Sequence, residues 1–329
     1  MYWEKKPFND LLKEANEEGG EPIPLEEESS EFFLFHSMDR EILMHRDCHF
    51  GGKFSIMLDY YEKEGKGVNP EFEISRIHYL ERVEEETGKN LAAEIFSAAD
   101  AEEVSRVQEK YKRLRSLYEM QGEGKNKPCL IADLILSEEE EAKEEKLAII
   151  QEGVSMTPFL IDLLRSMEFL NPLFPGYSYA PVLAAECLGE IGDERGIAPL
   201  FESVGKGNEN LESAIVEALS KIGDPARVFL QKLLLSEPFS PDNFHAAMIL
   251  AQSFSGEEEA AVSCFERLKR EQGKGEETFL GFLILGLVGL KGEHRCEFRK
   301  WVENNRLSPA LLEEVGVVSL DWQEEDKGR

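Results

Sequence analysis

Two histidines four residues apart, in His45-Arg46-Asp47-Cys48-His49, form the densest local cluster of groups able to hold a metal or relay a proton. On a helix, residues i and i+4 share one face, as two zinc ligands must. His36 and His78 are the nearest sources of a third ligand. Two features weigh against a metal. Phe50-Gly51-Gly52 follows at once and threatens to end the helix before His49, and no Glu follows His45 in the H-E-x-x-H arrangement of a metalloprotease. The simpler reading is a pair of surface or interface histidines near a helix end. No catalytic residue, cofactor or metal ligand is therefore assigned, and His45 and His49 stand as the metal candidates.

Other chemistry is thinner. Gly65-Lys66-Gly67 and Gly122-Glu123-Gly124-Lys125 lack the G-x-x-x-x-G-K-[ST] spacing of a phosphate-binding loop and read as turns. No G-x-S-x-G elbow occurs. Cys48 stands beside two histidines, which is weak grounds for a nucleophile. Cys187, next to Leu188, reads as a small packing residue. Ser137-Glu138-Glu139-Glu140-Glu141 reads as the capped, solvated start of a helix. The five cysteines, at 48, 129, 187, 264 and 296, are odd in number and form no C-x-x-C pair. Reduced thiols and a cytoplasmic location follow as expectations.

The chain has 329 residues, 42% hydrophobic and 31% charged, which is enough to fold as one or two soluble domains. Its net charge of −29 repels phosphate, so neither nucleic acid nor an anionic membrane surface is an expected partner. The most apolar stretch, Phe279 to Leu290, contains three glycines and is short of the roughly 20 residues of a membrane span. It reads as a buried helix.

The elements that would position any site come from a repeat. Ala184 to Asp193 reads A-A-E-C-L-G-E-I-G-D, and Ile215 to Asp224 reads I-V-E-A-L-S-K-I-G-D, offset by 31 residues. The same step carries Leu219 to Leu250, and a slightly longer one reaches Leu285. A fixed period of about 30 residues marks a stacked array. Within a unit, Ala184, Ala185, Leu188 and Ile191 share one helical face, and the alanines admit a close neighbour. Gly192 can end that helix at positive φ, and Asp193 can cap a second one carrying Ile197, Leu200 and Val204. Asp224 should cap likewise, with Pro225 in the first turn and Val228 and Leu233 facing the core. Breakers at Gly205 to Asn208, Ser236 to Asp242 and Gly273 to Gly275 separate the pairs. Upstream, Ala142 to Ile150 and Pro158 to Met167 form a divergent pair, set off by the loop Asn171 to Gly176; downstream, Ala310 to Val315 is a short end helix before an acidic tail.

This pattern, an alanine-rich helix, then L-G-x-I-G-D, then a second apolar helix, resembles the HEAT-like repeat family in the short form known from phycobilisome lyases. The resemblance spans residues 142 to about 304 and is specific in the two middle units. It implies an all-α fold, an α-solenoid of stacked antiparallel helix pairs, and usually a protein-binding scaffold. HEAT-like hydroxylases carry His-Glu dipeptides as iron ligands; no histidine here precedes a glutamate, so that branch is disfavoured.

Three regions are expected: a flexible acidic arm over 1–30, a small helical domain over 31–128, and the solenoid with its carboxy-terminal cap over 129–329. Apolar-periodic stretches at Phe32 to Met44, Phe54 to Tyr61, Ile74 to Val83 and Val104 to Tyr118 build the helical domain, and Gln121 to Lys125 is the best linker. The expected function is a non-enzymatic scaffold that binds another protein on the concave face formed by second helices. Outward-facing residues of those helices, Arg195, Glu202, Arg227, Lys232, Arg267 and Arg299, are the binding candidates. The alternative is an enzyme or lyase-like subunit with a metal or ligand site near His45 and His49.

Overall fold

The computed structural model describes residues 37–63, 69–119, 126–138, 141–271 and 275–328. The acidic arm, His36, the Gln121 to Lys125 linker and the glycines at 65, 67 and 273 lie outside them. The described residues form seventeen α-helices and no strand, the all-α solenoid that the repeat implied.

The repeat pairs begin with α7 (Lys143–Glu152) and α8 (Thr157–Arg165). Next come α9 (Tyr179–Ile191) with α10 (Ile197–Glu202), and α11 (Glu209–Ile222) with α12 (Asp224–Leu234). The pairs α13 (Pro241–Ser253) with α14 (Glu258–Glu271), and α15 (Glu277–Leu285) with α16 (Gly292–Asn304), complete the array. First helices stack in the order α9, α11, α13, α15, while second helices α12, α14 and α16 form a parallel row. The row is capped by α17 (Pro309–Gly328) packed on α15. That cap is a full helix rather than a short one followed by a tail. Trp322, fully buried, anchors it, and its indole N–H donates to the Val288 carbonyl at 2.8 Å.

The small residues do what their spacing requires. Leu188, Leu219 and Leu250 are all fully buried at the 31-residue step. Gly189 faces Ala218 so closely that a Cβ on it would stand 2.6 Å from the Ala218 Cα. In the last pair Leu283 and Ile284 are buried, whereas Leu285, reached by the longer step, is half-buried.

Two details of the second helices differ from expectation. Asp193 does cap: its carboxylate accepts the Arg195 N–H at 3.0 Å and starts a 3₁₀ turn, Glu194–Gly196, ahead of α10. Asp224 does not. Gly223, at φ 78°, provides the sharp entry, α12 begins on Asp224 itself, and that carboxylate binds the Arg227 guanidinium at 2.9 Å. Ala226, Leu230 and Leu234 fill the core, while Val228 is 40% exposed and Leu233 half-buried.

Upstream stand α1 (Ser37–His49), α2 (Phe54–Glu62), α3 (Ile74–Thr87), α4 (Leu91–Ile95), α5 (Ala98–Glu119) and α6 (Lys127–Leu136). Sequence periodicity did not anticipate α6. Asn126 caps it by accepting the Cys129 N–H at 3.1 Å, and its nearly unbroken apolar sequence, with Cys129, Leu130, Ala132, Leu134 and Ile135 buried, hides any amphipathic signal. Ser137 closes α6 instead of opening the next helix; its hydroxyl donates to the Leu134 carbonyl at 2.8 Å. Helix α1 serves two apolar clusters. Ile42 and Leu43 join Met57, Ile77 and Leu80, whereas Met44 and Cys48 join Val107, Leu114 and the core of the solenoid.

Candidate functional site

The face built by second helices presents an open groove of about 520 Å³ between α10 and α12. Ile197 and Phe229 form its apolar wall, Val228 its exposed apolar edge, and Glu194, Arg227 and Lys232 its polar rim. Phe229 is held by an edge-on contact with Phe201, ring centroids 5.7 Å apart. Val228 reaches this rim because Ala226, Leu230 and Leu234 are the core-facing positions of α12, which puts residue 228 on the opposite side of the helix.

The six candidate residues divide by what they touch. Arg195 is exposed, but its guanidinium grips Asp193 and donates to the Val154 carbonyl at 2.8 Å, tying adjacent units together. Glu202 is exposed and paired with Arg165 of the preceding unit at 2.7 Å. Arg227 is 12% exposed and binds Asp224 at 2.9 Å and Glu257 of the next unit at 2.6 Å. Lys232 and Arg299 are exposed and, among the described residues, make no ion pair.

Arg267 corrects the sequence reading. Expected on the outer face of α14, it is 2% exposed. Its guanidinium binds Glu271 at 2.8 Å, Glu237 at 3.2 Å and the carbonyls of Leu234 and Ser236 at 3.3 and 3.2 Å. The rings of Phe239 and Phe279 lie 5.4 and 5.8 Å from it. The breaker segment Ser236 to Asp242 folds over the arginine and takes it out of solvent. Such a fork of donors suits two carboxylates and the orphan carbonyls at the end of α12. Arg267 is therefore a structural clasp between units and no part of an open face.

The two metal candidates do share one face of α1, with ring centroids 4.6 Å apart. The surroundings are aromatic. His49 lies 4.6 Å from the Tyr177 ring, and Phe72 lies 5.4 Å from His45. His49 Nδ1 is 2.8 Å from the Tyr111 hydroxyl, which donates its proton to Glu138 at 2.7 Å. Tyr111 has one proton to give, so His49 must donate Nδ1–H to it, leaving Nε2 as the bare nitrogen, buried without a hydrogen bond. Burial, reinforced by His45, pushes the His49 pKa well below its ordinary value. Burial likewise raises Tyr111 and Tyr177 far above the usual phenol range. His78 lies elsewhere, 3.3 Å from Glu62. Among the described residues no three His, Cys, Asp or Glu side chains converge as a metal site.

Tyr111 and Tyr177 were not singled out from the sequence, and Glu138 figured there only in the helix start read at Ser137 to Glu141. They come from α5, from the segment after α6, and from the loop insertion before α9, and no local spacing links them.

Residues 178–262 match the family of HEAT repeats. That match covers α9 to α14 in part and does not single out the phycobilisome-lyase form. No curated protein matches the chain, and no solved structure does. Among the described residues no single helix is long and apolar enough to cross a membrane.

Proposed function

From a chain whose middle carries HEAT-like repeats, a type commonly used as a protein-interaction scaffold, we propose a non-enzymatic adaptor that holds another protein against its second-helix face. The observation that supports the reading is the groove between α10 and α12, where Val228 stands 40% exposed between charged neighbours. An aliphatic edge beside Lys232, the rim cation that makes no ion pair among the described residues, offers desolvation and one positive contact on a chain of net charge −29. The partner segment that fits is apolar with an acidic residue set to meet Lys232. The same reading places the protein in the cytoplasm, where its five cysteines stay reduced.

A photo-crosslinker at position 228 tests this, with one at Glu217 on the first-helix row as control. In cells of the native source, position 228 should capture a discrete protein that position 217 does not, and Lys232→Glu should weaken that capture. Equal capture from both positions, or capture indifferent to Lys232→Glu, would remove the groove as the docking face.

A further inference from the structure

A second cavity, of about 600 Å³, opens where α1 meets the loop insertion that precedes α9. It is separate from the second-helix groove, and of the repeat helices only α9 reaches it, through Tyr179. One wall is α1, which presents Glu41, Met44 and His45 at i, i+3 and i+4. A second wall is the turn from Asn69 to Phe72. The third is built from Glu138 and from residues 171–179. The volume lies within the range of sites for drug-sized molecules.

The lining is chemically one-sided. Phe72, His45, Tyr177 and Tyr179 supply rings, with Met44 and Leu173 as aliphatic filler. Three carboxylates, Glu41, Glu71 and Glu138, face the same space, and among the described residues no lysine or arginine lines it. Four cations of the surrounding helices are committed elsewhere. Arg40 binds Asp100 at 2.9 Å, Arg76 binds Asp39 at 2.6 Å, Arg46 binds Glu84 at 2.9 Å, and Lys110 binds Glu168. Rings with carboxylates behind them are the arrangement that holds an organic cation: the ring faces attract positive charge and the carboxylates set its position. An anion would be repelled, and a small hydrated metal ion would leave most of the volume unfilled.

The walls are also set in a costly backbone. Glu138 at φ 53°, Tyr177 at φ 45° and Ser178 at φ 68° are non-glycine residues in the left-handed region. Two of the three line the cavity. Strain of this kind persists where surrounding structure enforces a particular side-chain placement. Here the enforcement is visible: Tyr111 holds Glu138 through a 2.7 Å hydrogen bond, and the His49 ring packs at a tilt against Tyr177.

We propose that this cavity binds an organic cation, an alkylammonium or guanidinium group carried on an apolar or aromatic body. Two sources offer that chemistry, a free small amine and a lysine or arginine side chain of a bound peptide. The cavity is lined both by α1 and by residues 171–179, so occupancy bridges α1 to the solenoid. A cation bound there stabilises the fold by mass action.

The test uses the full chain and calorimetric titration with three probes: phenethylamine, its neutral analogue phenethyl alcohol, and a blocked lysine peptide with a neighbouring phenylalanine. Phenethylamine or the peptide should bind saturably, and the alcohol at least about tenfold more weakly. Glu41→Gln with Glu71→Gln, both exposed and so safe for the fold, should weaken cation binding by about tenfold or more without changing the melting temperature of the free protein. Leu173→Trp, which fills the cavity, should abolish it. The tighter of amine and peptide identifies the source. Absence of saturable binding by either cation overturns the proposal, as does equal affinity for the alcohol or indifference to the double glutamine change.

Discussion

A buried histidine with a bare Nε2 reports on acid stability, because folding denies it a proton. The unfolded side chain titrates near 6.5, and the folded one well below that, with desolvation the leading cause and the neighbouring His45 the second. Between those values the unfolded chain binds a proton that the folded chain refuses. Stability is therefore whole above about pH 6.5 and is lost as pH falls below it. The melting temperature should drop more steeply between about pH 6.5 and pH 5 in the native protein than in His49→Gln, and parallel curves would contradict the assignment. Asp193 gives a second, lower window. The Arg195 guanidinium, together with hydrogen bonds from the Arg195 N–H and Thr157, lowers its pKa to about 2. Its contribution is complete above about pH 4 and fades as pH drops through the folded value. Asp193→Ala should cost about 1 kcal/mol at neutral pH, and Asp224→Ala markedly less, since only the first caps a backbone N–H. Chemical denaturation of the two variants side by side checks this. The equivalence of the two aspartates in sequence was an expectation that one residue of helix phase undid. Likewise, Arg267 has the periodicity of a surface arginine, and only the loop that folds over it, 30 residues away in sequence, makes it internal.

The helix pair is the scale at which sequence was most informative. Alanines at 184 and 185, leucines 31 residues apart and the glycine at 192 each carry a local physical meaning, and the structure uses all of them. Leu219, wholly buried, should cost about 2–5 kcal/mol on change to alanine. Two glycines make a sharper contrast. A Cβ at Gly189 would meet Ala218 backbone at 2.6 Å, so Gly189→Ala must push α9 off α11 and should cost about 1–3 kcal/mol. Gly316 sits inside α17 with open space around it, and Gly316→Ala should stabilise by about 0.5–1 kcal/mol, as helix propensity alone dictates. Opposite signs for one substitution, measured by urea denaturation, would confirm that packing rules at α9 and propensity at α17. Illegible at this scale were elements without contrast: α6 is apolar almost throughout, so periodicity had nothing to detect. The candidate cavity was illegible for another reason. His45 and His49 were visible as a pair, but Tyr111, Glu138 and Tyr177 reach them from 62 to 132 residues away in the numbering, and only the fold brings those segments together.

For the whole molecule the question is how tightly α1 to α5 belong to the array. A linker at 121–125 and a change of pattern place the expected border at residue 128. The apolar core, however, runs through that position. Val107 and Leu114 of α5 share one cluster with Leu130 and Leu134 of α6 and with the repeat helices. Polar bonds cross as well: the Tyr118 hydroxyl donates to Asp133 at 2.7 Å, Asn171 donates to Glu103 at 2.6 Å, and Lys110 pairs with Glu168. Apolar burial of this extent outweighs the loss of one covalent link, whose removal costs only the entropy of tethering. A specific protease site inserted at residues 121–125 should therefore cut to completion and still leave both pieces migrating together on gel filtration at neutral pH. The nicked protein should melt in one transition, as a shared core requires. In moderate urea, Val107→Ala with Leu114→Ala should release the amino-terminal piece at lower denaturant than the unaltered nicked protein, because both side chains leave cavities in the common cluster. Pieces that part without denaturant, with the carboxy-terminal one retaining its helical circular dichroism, would instead make residue 128 a true domain border and the α5 contacts a mere docking surface.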